Sequence, residues 1–272
     1  MSRRAVLTLV SFLIGAGAAL AQPLAAYWNS LPGQETEIAE ATRRVDQFVV
    51  DHQGQPEARH LARVFRKFQQ SFLGRYEAYA DFSSMFTNKT YDCLTATTLL
   101  SHILDRLGYR AEIVETTYHI FVKVSTPEGP VLLETTDRVG GFVNDEKLIA
   151  DRIAGYQKDD MVFAGRDSYR YSRLVYRTVT SSDLVGLLLY NQSVKAYNSR
   201  NWLGSAKYLE ASFARYPSER CHEMAAILLR TLHEHPEVAP DTRRACLEHL
   251  LPVIARPSGN VAASESIPVS FR

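Results

Sequence analysis

The sequence is poor in cysteine, has no excess charge of either sign, and beyond its first residues has no apolar run long enough to cross a bilayer. Against 31 Lys and Arg stand 30 Asp and Glu, so no basic stripe is available and a nucleic-acid partner is not expected. The 3 cysteines form no CxxC pair and the 8 histidines show no ligand-like spacing, so neither a metal nor any other cofactor is expected. What is present is ample apolar material. With 46% hydrophobic residues the chain can bury a real core, and its 272 residues suit two modest domains.

Residues 1–21 read as a secretory signal. Arg3 and Arg4 supply a positive start, residues 5–19 are mostly apolar, and Ala19-Leu20-Ala21 matches the small-x-small rule for cleavage. The apolar stretch is short of the ~20 residues a spanning helix needs. Gln22 follows the site, so no lipid-bearing cysteine starts the mature chain there. The expectation is an exported bacterial protein, periplasmic or secreted, with no membrane attachment after cleavage. Losing Arg3 and Arg4 takes the formal charge from +1 to −1. An exported chain with three cysteines leaves one over. Cys221 and Cys246, both in the helical C-terminal part, are the candidate disulfide, and Cys93 is then the free thiol.

The fold class expected is α+β. Residues 22–80 read as an N-terminal helical segment, with apolar stripes at Ile38, Ala41, Val45, Phe48 and at Leu61, Val64, Phe65, Phe68, Phe72. Residues 81–180 read as the mixed domain. There a helix runs from Asp92 to Leu107, its apolar face formed by Ala96, Leu99, Leu100, Ile103 and Leu104, with Gly108 past its end. Strands follow over residues 111–114, 118–124 and 130–134, the last two joined by Pro127-Glu128-Gly129. Gly140-Gly141 marks a turn, a helix is expected over 145–153 and a further strand over 169–178. Short connections make the sheet antiparallel. Residues 181–256 read as helical hairpins. In the first, Ser193, Trp202, Ser205, Leu209, Ser212 and Pro217 are spaced like one tetratricopeptide repeat; too few repeats follow for a free solenoid, so a docked helical cap is expected. Residues 257–272, rich in Ser, Ala and Pro, read as a disordered tail.

Three residues carry candidate chemistry. Cys93 opens a helix, where the dipole favours a thiolate. The adjacent Asp92 opposes it, since a neighbouring carboxylate raises a thiol pKa. His119 lies in Tyr118-His-Ile-Phe-Val, on the strand face that carries Phe121 and Lys123 rather than Ile120, Val122 and Val124. Glu134 ends the next strand and is followed by Thr135 and Thr136; Asp137 is its rival. Thiol, imidazole and carboxylate in this order are the parts of a cysteine nucleophile with its base and the group that orients it.

The segment resembles the transglutaminase-like branch of the papain-like cysteine protease superfamily. Tyr91-Asp-Cys-Leu-Thr-Ala, the Leu-Gly-Tyr after the helix, Tyr118-His-Ile-Phe and Leu133-Glu-Thr-Thr-Asp together are similar to an exported bacterial group of that branch that often carries tetratricopeptide-like helices behind the domain. The resemblance covers residues 81–153. It implies a helix bearing the cysteine packed on an antiparallel sheet, with Cys93 as nucleophile, His119 as general acid–base and Glu134 as its orienter, where the family usually has Asp in an Asp-x-Thr motif. The oxyanion donors it implies are the Cys93 backbone N–H and a side chain just upstream, Asn88 or Tyr91. No calcium site of the large animal transglutaminases has a counterpart. Two functions follow from different classes. One is a thiol enzyme acting on amide bonds of a protein or peptide, as peptidase, amidase or transamidase. The other is a catalytically silent binding or assembly module.

Overall fold

A computed structural model describes residues 23–28, 34–162 and 175–257. The segment expected to be a signal, most of the expected C-terminal tail and the first part of the strand expected over 169–178 lie outside the described residues.

The chain is α+β. Two helices come first, α1 (Glu35–Asp51) and α2 (Ala58–Phe72), each burying the stripe its sequence spacing defines. A short strand β1 (Arg75–Tyr76) pairs in parallel with β2 (Thr90–Tyr91) across the single-turn helix α3 (Ser84–Thr87). Helix α4 (Cys93–Arg106) starts directly after β2. Its end is set by Gly108, whose φ of 80° is a left-handed conformation that costs glycine nothing. Strands β3 (Arg110–Thr116), β4 (Ile120–Thr126), β5 (Gly129–Leu133), β6 (Phe142–Val143) and, beyond helix α5 (Glu146–Val162), β7 (Tyr176–Val179) form one antiparallel sheet in the order β6-β5-β4-β3-β7.

The pleat assigns the two faces of this sheet. Ile113, Ile120, Val122, Val124, Val131 and Leu133 pack towards α4 in the main core. Val114, Phe121, Leu132 and Val143 face the other way and bury against Ile149 of α5. The side carrying His119 and Phe121 is therefore not a solvated face but a second, smaller core. Helix α4 departs from its expected amphipathic character in the same sense. Every residue from Leu94 to Leu104 is buried, including Thr95, Thr97, Thr98, Ser101 and His102. A helix enclosed by neighbours on all sides needs small hydroxyls rather than charges on its polar face. His102 sits there edge-on to Tyr27, with ring centroids 6.2 Å apart.

Two helical hairpins follow, α6 (Ser181–Asn198) with α7 (Trp202–Arg215), and α8 (Glu219–Glu234) with α9 (Pro240–Ala255). Small residues bring α6 and α7 together. Ser193 Oγ donates to Ser205 O at 2.9 Å, Ser212 Oγ donates to Gly186 O at 2.8 Å, and a Cβ on Gly186 would come within 2.3 Å of the Tyr216 Cβ. The main core includes residues of α1, α2, α4, the sheet and all four C-terminal helices, so the hairpins are part of one core rather than a separate unit.

The expected disulfide is not formed: Cys221 and Cys246 are buried free thiols. Helices α8 and α9 run antiparallel, with His222 Nε2 against Arg256 O at 2.9 Å and Arg243 Nη2 donating to His235 O at 3.1 Å. Cys221 therefore lies level with the end of α9 while Cys246 lies about three turns away, roughly 15 Å at 1.5 Å per residue. That is beyond the ~7 Å a disulfide spans. Cys221 instead donates its S–H to Tyr216 O at 3.5 Å. Among the described residues no helix is long and apolar enough to cross a membrane.

Candidate active site

Asp92 caps α4 through a reciprocal pair of bonds. Its Oδ1 accepts from Thr95 N at 2.7 Å, and Thr95 Oγ1 accepts from Asp92 N at 2.9 Å. Its other oxygen accepts from Asn191 Nδ2 of α6 at 3.2 Å. Cys93 follows as the first helical residue, half-buried, with its thiol beside the helix-terminal N–H groups of Cys93 and Leu94. One turn along the same helix face, Thr97 Oγ1 donates to Ile120 O at 3.4 Å and lies 3.5 Å from Thr135 Oγ1. Ile120 follows His119 and Thr135 follows Glu134. The helix thus sets Cys93 one turn, about 5.4 Å of rise, from the neighbours of both other candidates.

His119 stands immediately before β4, on a tight turn closed by Thr116. Thr116 N donates to His119 O at 2.8 Å, and His119 N donates to Thr116 Oγ1 at 3.0 Å. Arg220 of α8 grips the same turn, its Nη2 donating to Thr117 O at 2.7 Å. Glu134 stands immediately after β5. Because Val122 pairs with Leu133, continuing the ladder puts Glu134 opposite Phe121, two residues from His119 and on the same side of the pleat. Imidazole and carboxylate are thereby diagonal neighbours.

They meet directly: His119 Nε2 and Glu134 Oε2 are hydrogen-bonded. Tyr156 of α5 donates its hydroxyl to the same Oε2 at 3.0 Å. The opposite oxygen, Oε1, accepts from Thr136 N at 3.0 Å and from Thr136 Oγ1 at 2.6 Å. Asp137, the rival, is engaged elsewhere. Its Oδ1 accepts from Gly140 N at 2.8 Å and Val139 N at 3.1 Å, and its Oδ2 pairs with Arg152 at 3.1 Å. Glu134 is the carboxylate that holds the imidazole. Burial alone would raise its carboxyl, but the His119 hydrogen bond and charge, with the Thr136 donors, outweigh that and hold it below the ordinary glutamate range. A neutral ring donating through Nε2 keeps its lone pair on Nδ1, which has no hydrogen-bond partner among the described residues.

The thiol is a different matter from the one its helix position leads one to expect. Burial pushes Cys93 up, and the charges of Asp92 and Glu134 push it further; the N–H groups of Leu94 and Cys93 pull the other way without offsetting them. The resting group is a protonated thiol. Its activation then needs a base that takes the proton as the sulfur attacks. Among the described residues no hydrogen bond joins the Cys93 sulfur to the His119 ring, and it is the charge of Glu134, the ring's partner, that reaches the thiol.

Of the two side-chain oxyanion candidates, Asn88 is exposed and its Oδ1 accepts from Thr90 N at 3.0 Å, a local turn contact. Tyr91 is buried in the main core with its ring edge-on to Tyr76, centroids 5.9 Å apart. Tyr76 was not singled out from sequence. Its phenol is raised to about 12, first by the buried part of its surroundings, with Cys93 in its ionised form and Asp92 opposing its ionisation, so it keeps its proton. Tyr156 and Arg220 were missed as well. Both reach the site from helices whose sequence shows only ordinary spacing.

A second buried constellation ties the sheet to the helical hairpins. Glu115 of β3 accepts from Tyr216 Oη at 2.8 and 2.9 Å and from Arg177 Nε at 2.9 Å, with Arg220 at 3.4 Å. No group of three or more possible metal ligands occurs among the described residues. Comparison of the chain with protein-family models, curated proteins and solved structures gives no match in any of the three.

Proposed function

We propose that this protein is an exported thiol enzyme of transglutaminase-like type that acts on amide bonds, with Cys93 as nucleophile, His119 as general acid–base and Glu134 as the residue that orients it. The observation that carries the reading is the Glu134 carboxylate bound to His119 Nε2, which directs the lone pair of Nδ1 away from the carboxylate. In the reaction, Cys93 Sγ adds to the amide carbonyl while its proton passes to His119 Nδ1. That proton then goes to the departing amine as the C–N bond breaks and a thioester remains. Water or a second amine attacks the thioester, giving hydrolysis or transfer. The backbone N–H of Cys93, at a helix start with no intrahelical acceptor, supplies one donor to the oxyanion. A protein or peptide is the substrate class, and the α6–α9 hairpins belong to its support. The signal at residues 1–21 makes the site of action periplasmic or extracellular.

A binding or assembly module that keeps the three residues as structure is the second reading, and the buried surroundings that push the thiol up favour it. Alkylation by iodoacetamide, located on Cys93 by mass spectrometry, separates the two. The enzyme reading expects His119→Ala to slow labelling at pH 7 by at least about tenfold, because the base that accepts the thiol proton is gone. Equal rates in wild type and His119→Ala, with both folded, would overturn it.

A further inference from the structure

Glutamate has one more rotatable bond than aspartate, so a carboxylate at position 134 needs more restraint to hold an imidazole still. The restraint comes from α5. Tyr156 Oη donates at 3.0 Å to the same Glu134 oxygen that binds His119. The tyrosine ring lies against both the imidazole and Phe121, with centroids 5.0 Å and 5.2 Å away. Behind it stands Arg152, which interacts with the phenol and pairs with Asp137 at 3.1 Å. Asp137 in turn is fixed by the N–H groups of Val139 and Gly140. The result is a continuous line of contacts, Asp137 to Arg152 to Tyr156 to Glu134 to His119, that runs from the loop after β5 through α5 and back to the imidazole.

We propose that Tyr156 is a positioning residue for the Cys93 reaction, fixing the Glu134 carboxylate on His119 Nε2 and moderating its charge, and that Asp137 takes part only as the anchor of Arg152. The inference rests on the thiol-enzyme reading for its function but on its own contacts for its geometry. Burial and the Glu134 charge push the phenol well above its ordinary value, so it remains a donor across the working pH range. Its hydrogen bond draws charge from Oε2. Without it, that oxygen attracts the imidazolium more strongly, and the His119 midpoint rises. The charged and titratable groups at the ring are Glu134 at the end of β5 and Tyr156, backed by Arg152, from α5; Cys93 at the start of α4 is coupled to this cluster through the Glu134 charge.

The test follows the His119 ring by nuclear magnetic resonance of histidine-labelled protein while Cys93 alkylation by iodoacetamide is measured across the same pH range. Tyr156→Phe keeps the ring packing and removes only the hydroxyl. The expected result is a His119 midpoint raised by about half a pH unit or more, with the His119-dependent limb of the alkylation profile moving with it. Site-specific replacement of Tyr156 by 3,5-difluorotyrosine strengthens the donor and should move both downward, so a folding defect in the phenylalanine variant does not remove the test. Unmoved midpoints in folded Tyr156→Phe and in the fluorinated protein would overturn the proposal. If His119→Ala still slows alkylation in that case, the thiol-enzyme reading stands without it. If instead the midpoint moves while His119→Ala leaves alkylation unchanged, the line of contacts stands and the thiol-enzyme reading falls.

Discussion

The hydroxyl oxygens of Thr97 and Thr135 lie 3.5 Å apart across the seam between α4 and the sheet. Both side chains are wholly buried, and Thr97 also donates to the backbone carbonyl after His119. This contact sets how far along the sheet α4 sits, and with it the height of Cys93 relative to His119 and Glu134. Thr97→Val keeps the shape and removes both bonds. It should cost about 1–3 kcal/mol, since Thr135 and the Ile120 carbonyl lose a buried partner. Urea unfolding measures this, and iodoacetamide labelling should show weaker dependence on His119 in the same variant.

Asp92 is the residue whose charge acts against the thiol from next door. Asp92→Asn removes that charge, and asparagine is nearly as good a cap as aspartate. Losing a nearby anion stabilises the thiolate, so the alkylation curve of Cys93 should move to lower pH by about half a unit or more while thermal stability changes little. An unmoved curve would show that burial alone governs the thiol.

The cysteine helix and the histidine–glutamate pair were legible in the sequence for local reasons. Gly108 is a stop, and Thr90 or Asp92 a cap, whose meaning depends only on neighbouring residues; α4 begins directly after Asp92 and ends just before Gly108. The hairpin at Pro127-Glu128-Gly129 fixes the register of β4 and β5, which brings His119 and Glu134 together. What escaped is what depends on three-dimensional neighbours. The two-residue strands β1 and β2 are too short to show a period. The apolar spacing of α4 defines only one face, because nothing local tells that neighbouring elements enclose the rest of the helix as well. Tyr156 reaches Glu134 across the sheet face that binds α5, a contact with no counterpart in sequence spacing. Cys221 and Cys246 share a helical hairpin, but their heights along it depend on how the helices align.

Glu134 links the site to acid stability. Its folded value is depressed, so it contributes stability that is complete above the unfolded value of ~4.3 and is lost as pH falls through the lower folded value. Below pH ~4.3 the melting temperature of the wild type should therefore fall more steeply than that of Glu134→Gln. Parallel curves in calorimetry would mean that the carboxylate gains nothing from its partners.

All 3 cysteines are free. Reaction with Ellman's reagent in denaturant should consume three thiols without prior reduction. In the folded protein only half-buried Cys93 should react on a short time scale, because Cys221 and Cys246 are enclosed. Recovery of a single thiol from unreduced, unfolded protein would restore the disulfide.

The order in which the chain is made bears on when the site can exist. Cys93, His119 and Glu134 all precede β7, yet two of the ties that hold them come later. Asn191 secures the cap before the cysteine, and Arg220 grips the turn that presents the histidine. A nascent chain that has not yet reached α6 thus carries every reacting group without the means to fix two of them. A product cut short before Glu219 keeps Asn191 but still lacks Arg220. Competence arrives late in synthesis, with the segments that supply none of the chemistry.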